Sequence, residues 1–192
     1  METRDALLGR RSIRRYDPTR PISDEDLHEI VEAGLYAPSA VNLQHWYFVV
    51  VRSPERRAEL VEIMGQVFGK FRPVLEDRFK KNPEAVEETK QFFSGLGGAP
   101  VCILAFFLKD NFPDRDGAMQ SVSAALENLL LAAWDKGIGS CWLSAPQRMG
   151  FGPELCRRFA PGKGEFVAAV TLGYPADVPK APPRRDGRFE FV

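Results

Sequence analysis

The sequence predicts a sandwich of helices over a few buried strands, α+β or α/β in class. Three observations carry this reading. Runs of β-branched, aromatic and other apolar residues at 46–51, 101–108 and 165–174 are strand-length and apolar enough for a core. Segments with helical spacing of apolar residues precede, separate and follow these runs. No internal repeat or linker divides the 192 residues, so one domain spanning 1–192 is expected.

Taken in chain order, "TRDALLG" reads as a short helix, with Gly9 offering a left-handed stop. Ser23 is an N-cap candidate with Asp26 three residues on. Leu27, Ile30, Val31, Gly34 and Leu35 then recur at helical spacing until Pro38. "WYFVVV" is a buried strand, and Ser53-Pro54-Glu55 opens a helix carrying Leu60, Ile63, Met64 and Val67 on one side. The stretch 65–100 is the least regular, with Pro73, Pro83 and the exit "SGLGGAP"; it reads as one or two amphipathic helices forming a lid or excursion. "VCILAFFL" is a central strand, followed by the polar loop "KDNFPDRDG". "AMQSVSAALENLLLAAWDKG" is apolar on nearly every side, which predicts a helix at a core or subunit interface, capped by Gly137. "SCWLS" begins a short strand, "PELCRRF" is a brief helix opened by Pro153, and "EFVAAVTLGY" is a third central strand. The tail, 175–192, is too rich in proline for a helix and is expected to run extended over the surface or a partner.

Composition removes several function classes. Lys plus Arg and Asp plus Glu each number 26, so no net field draws nucleic acid or an anionic membrane. Three cysteines without CxxC spacing support neither a disulfide scaffold nor a zinc site. Met1 leads directly into charged residues and no apolar run could span a bilayer, which predicts a cytoplasmic protein. GxGxxG after a strand, the P-loop, HExxH and GxSxG are all missing. His28 sits among acidic residues and reads as a solvated surface group.

Against this neutral background, "RRSIRRY" places Arg10, Arg11, Arg14 and Arg15 within six positions. An extended chain turns Arg10, Ser12 and Arg14 to one side, where two guanidinium forks and a hydroxyl suit a phosphate dianion or the edge of an electron-rich heterocycle. Arg11 and Arg15 face the other way. Alone, such a run is more often an ion-paired surface. Three further pieces support the anion-site reading. In "APSAVNLQHWYFVVV", the amides Asn42 and Gln44 enter a strand and can read a ring carrying both donors and acceptors. In "GIGSCWLS", Gly137 and Gly139 permit close backbone approach and Trp142 supplies an aromatic wall. Arg184 and Arg185 add cations in the tail.

These four pieces, in this order, resemble the nitroreductase family of FMN-dependent oxidoreductases. The resemblance runs from about residue 3 to 186, with 65–100 outside it, on "RRSIRRY", "APSAVNLQHWYFVVV", "AALENLLLAAWDKGIGSCWL" and "LGYPADVPKAPPRR". It implies an α+β three-layer sandwich, a mostly antiparallel sheet flanked by helices, in an intertwined homodimer with FMN at the subunit interface. Arg10, Ser12 and Arg14 would then bind the ribityl phosphate and pyrimidine edge, with Arg11 assisting through its backbone. Pro38, Ser39, Ala40 and Asn42 would line the isoalloxazine from the other subunit. Trp142, Leu143 and Ser144 would offer backbone groups near the reactive ring, and Arg184, with Arg185 beside it, would close on the phosphate.

The implied activity is hydride transfer from NADH or NADPH through flavin N5 to a small-molecule acceptor, a nitroaromatic, quinone or similar conjugated electrophile. It needs no catalytic side chain and no metal. The same resemblance leaves open a flavin-dependent dehalogenase, an oxygen-using flavin-remodelling enzyme and a non-catalytic flavin-binding module. His45 stands where the family often has proline and Ser121 where an acidic residue is common; neither is expected to touch the flavin contacts directly. Residues 65–100 and 109–117 are expected to build a lid and channel. Phe68, Phe71, Phe92 and Phe93 either wall that pocket or fill helix core.

Overall fold

A computed structural model describes residues 2–109 and 114–192. Its centre is a four-stranded antiparallel sheet in the order β1-β2-β4-β3, built from β1 (Trp46–Val51), β2 (Val101–Phe107), β3 (Gly139–Leu143) and β4 (Glu165–Gly173). β2 is buried along its whole length, as its unbroken apolar run requires when both faces are covered. β1 is an edge strand whose four middle residues are only half-buried, a correction to the expectation of a buried strand there.

Helices cover both faces, which gives the α+β three-layer sandwich. On one face, Cys102, Leu104 and Phe106 of β2 pack with α3 (Pro54–Arg78), α4 (Glu84–Gly95) and α7 (Gly152–Phe159). On the other, Val101, Ile103, Ala105 and Phe107 pack with α2 (Asp24–Leu35) and α5 (Arg115–Asp135). The alternation along β2 follows from the pleat, which turns successive side chains to opposite faces. A register shift between Ala105 and Phe106 interrupts the β2–β4 ladder, and both Val167 and Ala168 fall on the α5 side there.

Ser23 caps α2 by accepting the Asp26 N–H at 3.0 Å, and its hydroxyl donates to Asp26 Oδ2 at 2.7 Å. Lys136, just past α5, bonds Asp26 at 2.9 Å and Glu29 at 2.5 Å, so the N-terminal half of α2 is locked to the end of α5.

Gly9 does not supply a left-handed stop: it is the last residue of α1 (Thr3–Gly9) and the chain leaves through Arg10 in an extended conformation. Space is tight there, since a Cβ would lie 3.0 Å from Nε1 of Trp134 and the indole would have to shift slightly. Gly137 does take the left-handed conformation, φ 72°, just after α5.

Helix α3 runs through Pro73 to Arg78, longer than the prolines suggested. Gly69, whose carbonyl loses its helical partner to Pro73, is exposed, so the lost bond falls on the solvent side of the helix. Val67, Phe68 and Leu75 are buried on either side and hold the helix together across the proline. α4 follows, ending in three successive left-handed residues, Leu96, Gly97 and Gly98. Phe68, Phe92 and Phe93 all belong to the core on this face, while Phe71 is half-buried against it.

The apolar breadth of α5 has a reason within one chain. The sheet covers one side and α2 another, burying Val122, Ala125, Leu126, Leu129, Leu130 and Ala133. Among the described residues no helix is long and apolar enough to cross a membrane. The channel expected at 109–117 falls partly on 110–113, outside the described residues.

Candidate functional site

The basic segment leaves α1 extended and lies along the free edge of β3. Ser12 bridges Ser140 in parallel, and the Ile13 N–H donates to the Ser140 carbonyl at 2.8 Å. Ile13 is fully buried and presses on Gly139, where a Cβ would come within 2.6 Å of Ile13 Cγ1. The close approach expected at Gly139 is therefore to this segment. Tyr16 anchors the far end: its hydroxyl donates to the Ile13 carbonyl at 2.7 Å and lies 2.8 Å from Thr171 Oγ1. Burial pushes the Tyr16 phenol well above its ordinary value near 10, so it stays protonated.

Burial along this segment does not alternate strictly. Ile13 and Tyr16 are buried and Arg14 and Arg15 are exposed. Arg15 reaches Asp177 with two bonds, 3.2 and 2.6 Å. Arg11 is also occupied, its guanidinium donating to the carbonyls of Leu8 at 2.8 Å and Arg10 at 2.7 Å. Arg10 pairs with Glu127 of α5 at 3.4 Å. Arg14 faces a cavity of about 200 Å³.

That cavity gathers residues far apart in sequence. Arg14, Cys141, Trp142, Leu143 and Ser144 form one side, with Ala145 and Arg148 of α6 (Ala145–Arg148) beside them. Phe71 and Leu75 of α3 with Thr89, Phe92 and Phe93 of α4 form the other. The structure thus brings together Arg14, Trp142, Leu143 and Ser144 of the expected site. Phe92 and Phe93 serve both readings offered for them, core on one side and cavity wall on the other. Burial pushes the Cys141 thiol up, opposed by the nearby guanidiniums of Arg14 and Arg10.

Arg148 was not anticipated. Pro146 at the start of a one-turn helix directly after β3 is the local signal that places it, one turn beyond Ser144. Its guanidinium lies 5.8 Å from the Phe71 ring centroid, so the mouth of the cavity carries two cations over an aromatic wall.

Pro38, Ser39, Ala40 and Asn42 do not line this cavity. They form the connection from α2 to β1, whose backbone is unusual: Val41, Asn42 and Gln44 have φ of 43°, 57° and 50°. Ser39 Oγ accepts the Gln44 N–H at 3.1 Å, and Gln44 Nε2 donates to Asn42 Oδ1 at 3.2 Å. The two amides expected to read a ring edge therefore hold each other. Ser121 of α5 accepts the Ala40 N–H at 3.0 Å, a contact with the backbone of the loop expected to line the flavin. His45 is buried, and its carbonyl accepts the Leu108 N–H at 2.7 Å. Arg184 and Arg185 are exposed on the tail, which is exposed from Ala176 onward.

The nitroreductase family profile matches residues 7–174. An NADH dehydrogenase of Thermus thermophilus is 34% identical over 187 residues, covering 92% of this chain and 88% of its own. Among solved structures, a BluB-like flavoprotein from Clostridium difficile superposes with a TM-score of 0.74 at 28% identity, covering 100% of this chain and 99% of that one. A nitroreductase with bound FMN from Bacteroides fragilis has a TM-score of 0.74 at 26% identity, with the same coverage. With the sheet order, the basic segment along β3 and a profile match over most of the sequence in agreement, the chain belongs to the nitroreductase family.

Proposed function

We propose that this protein is an FMN-dependent NAD(P)H oxidoreductase acting on a conjugated electrophile such as a nitroaromatic or quinone. The observation that carries the reading is the convergence of Arg14 with Trp142, Leu143 and Ser144 on one cavity with aromatic walls, in a chain of this family. The donor set fits a flavin mononucleotide. Guanidiniums match its phosphate and its electron-rich pyrimidine edge, and Trp142 and Phe71 match a flat ring system. A relative named NADH dehydrogenase supports a nicotinamide donor, and the FMN-bound neighbour supports the cofactor.

When bound, FMN supplies the redox chemistry, taking a hydride from NAD(P)H and passing electrons to the acceptor. The chain's own residues bind and orient. Arg14 places fixed positive charge where negative charge accumulates on reduction. Arg10 and Ser12 extend the donor row along β3, and Arg11 assists through its backbone while its side chain holds α1. Arg184 closes on the phosphate from the tail. Phe71, Phe92 and Phe93 exclude water from one wall of the cavity.

The active species is a homodimer. Pro38, Ser39, Ala40 and Asn42, outside the cavity of their own chain, line the flavin of the partner. In one chain Leu7, Leu8, Tyr36 and Val41 are 55%, 62%, 79% and 73% exposed, apolar surface that a second copy would cover. Sedimentation showing only a 21.5 kDa species at micromolar concentration would refute the dimer.

The purified protein should show a flavin absorption band, bleached anaerobically by NADH or NADPH. A colourless protein that takes up no added FMN would end this reading. Arg14→Ala and Arg184→Ala should each weaken FMN binding at least about tenfold, as expected for a lost charged hydrogen bond. The BluB-like neighbour favours a second reading, oxygen-dependent chemistry on the flavin itself, which product analysis with and without oxygen separates from plain acceptor reduction.

A further inference from the structure

The connection from α2 to β1 is held in a conformation its own sequence opposes. Val41, Asn42 and Gln44 all lie at positive φ, and none is glycine. Asparagine tolerates this region through local hydrogen bonding, but a β-branched valine does not. Val41 is 73% exposed, so burial of its side chain does not compensate. A backbone like this persists only where the surroundings over-determine it.

Most of the bonds holding the loop are internal. Asn42 N–H donates to the Ser39 carbonyl at 3.1 Å, Leu43 N–H to the Ala40 carbonyl at 3.0 Å, and Gln44 N–H to Ser39 Oγ at 3.1 Å. These fix its curl but not its place. Its exit is tied to the residue just past β2, by the Leu108 N–H on the His45 carbonyl. Its entry is tied to α5 by Ser121, which accepts the Ala40 N–H at 3.0 Å.

The chemistry of Ser121 makes this a directed tie. Its hydroxyl donates to the Gly117 carbonyl one turn back, at 2.6 Å. A serine hydroxyl has one proton, so with that proton committed its remaining lone pairs point to the amide. The side chain is 4% exposed, so little water can substitute. Ser123, two residues along, makes the equivalent back-bond to Met119 at 2.7 Å and lies outside the loop's hydrogen bonds given above.

We propose that Ser121 is the positioning residue of the flavin-lining loop: its hydroxyl, oriented by Gly117, fixes the Ala40 amide and so places the strained loop 38–44 where it presents Ser39, Ala40 and Asn42 to the flavin. The inference rests on the FMN reading for its consequence, but the clasp itself is testable without cofactor.

The experiment compares wild type, Ser121→Ala, Ser121→Thr and Ser123→Ala. Amide exchange is measured by mass spectrometry on FMN-free protein, and FMN affinity by fluorescence quenching. Ser121→Ala should raise exchange across 37–45 about tenfold and leave β2 and β4 unchanged, the signature of local opening rather than lost global stability. Its FMN affinity should fall about tenfold, as expected for a part-buried N–H left without its acceptor. Ser121→Thr, which keeps the hydroxyl, should restore both to within about threefold, and Ser123→Ala should leave both unchanged. Unchanged exchange at 37–45 in Ser121→Ala would overturn the clasp, as would equal effects of Ser123→Ala. Wild type taking up no FMN while the exchange result holds would instead sink the flavin reading and leave the clasp standing.

Discussion

Gly97 controls where Arg14 stands, and replacing it tests the packing behind the site. Its φ is 64°, and a Cβ there would fall 2.1 Å from the Arg14 carbonyl oxygen and 3.0 Å from Cδ2 of Phe92. The first neighbour is backbone and cannot rotate away. Gly97→Ala therefore incurs about 1–2 kcal/mol for a left-handed alanine and about 1–3 kcal/mol for overpacking, roughly 2–5 kcal/mol in all. Gly137→Ala is the matched control: φ is 72° with nothing within 4 Å of the added carbon, so only the conformational part, about 1–2 kcal/mol, applies. Both lose the same unfolded-chain freedom, which cancels in the comparison. Urea denaturation at fixed protein concentration and matched FMN loading measures the difference. Gly97→Ala should also weaken FMN binding, because relief of the clash moves the Arg14 backbone, whereas Gly137→Ala should not. A Gly97→Ala variant no less stable than Gly137→Ala would refute the reasoning.

Tyr16→Phe should cost about 1–3 kcal/mol, since it removes the bond to the Ile13 carbonyl and leaves buried Thr171 short of a partner. The same phenol sets an alkaline limit. Its folded value lies above its unfolded one, so above pH about 10 the unfolded chain binds fewer protons than the folded one and stability falls as pH rises. Denaturation midpoints between pH 8 and 11 should show that part of the decline flattened in Tyr16→Phe. Cys102, pushed up to about 12 by burial, contributes to the decline in both proteins. At the acid end, Lys136 and Ser23 hold the Asp26 carboxyl below its ordinary value, so its contribution is present at neutral pH and is lost as pH falls through that depressed value. Lys136→Met should reduce the acid loss seen in a pH-dependent melt. Ser23→Ala should cost about 1 kcal/mol by removing the α2 cap, measured by the same denaturation.

The helices and strands were legible because their period is local. Ser23, "WYFVVV", "VCILAFFL" and Gly137 carry their signals within a few residues. Proline and glycine were read with less success, for physical reasons. Pro73 removes one helical bond without ending α3, since the carbonyl it leaves unpaired belongs to exposed Gly69. Gly9 packs tightly beside Trp134, a neighbour 125 positions away that no local pattern announces. The candidate site divides in the same way. Alternation alone separates exposed Arg14 from buried Ile13, but pairing Arg14 with Phe71, Phe92 and Arg148 depends on how α3, α4 and α6 close over β3. Ser121 and Ala40 lie 81 positions apart, and nothing near either suggests the bond between them. The strain at Val41 is likewise invisible, because valine has no preference that predicts φ of 43°.

The segment 12–17 is stitched on both flanks, to Ser140 on one side and to Gly97, Tyr174 and Ala176 on others. Each of those partners is synthesised well after it. Arg10 and Arg15, whose partners are Glu127 and Asp177, must likewise wait, solvated, until most of the chain has emerged. The seam closes only when Ala176 is present to bond the Arg15 carbonyl. A nascent chain ending at Gly173 would already carry all four strands and still lack the last two of these bonds, so this edge of the sheet is sealed only after its strands are complete.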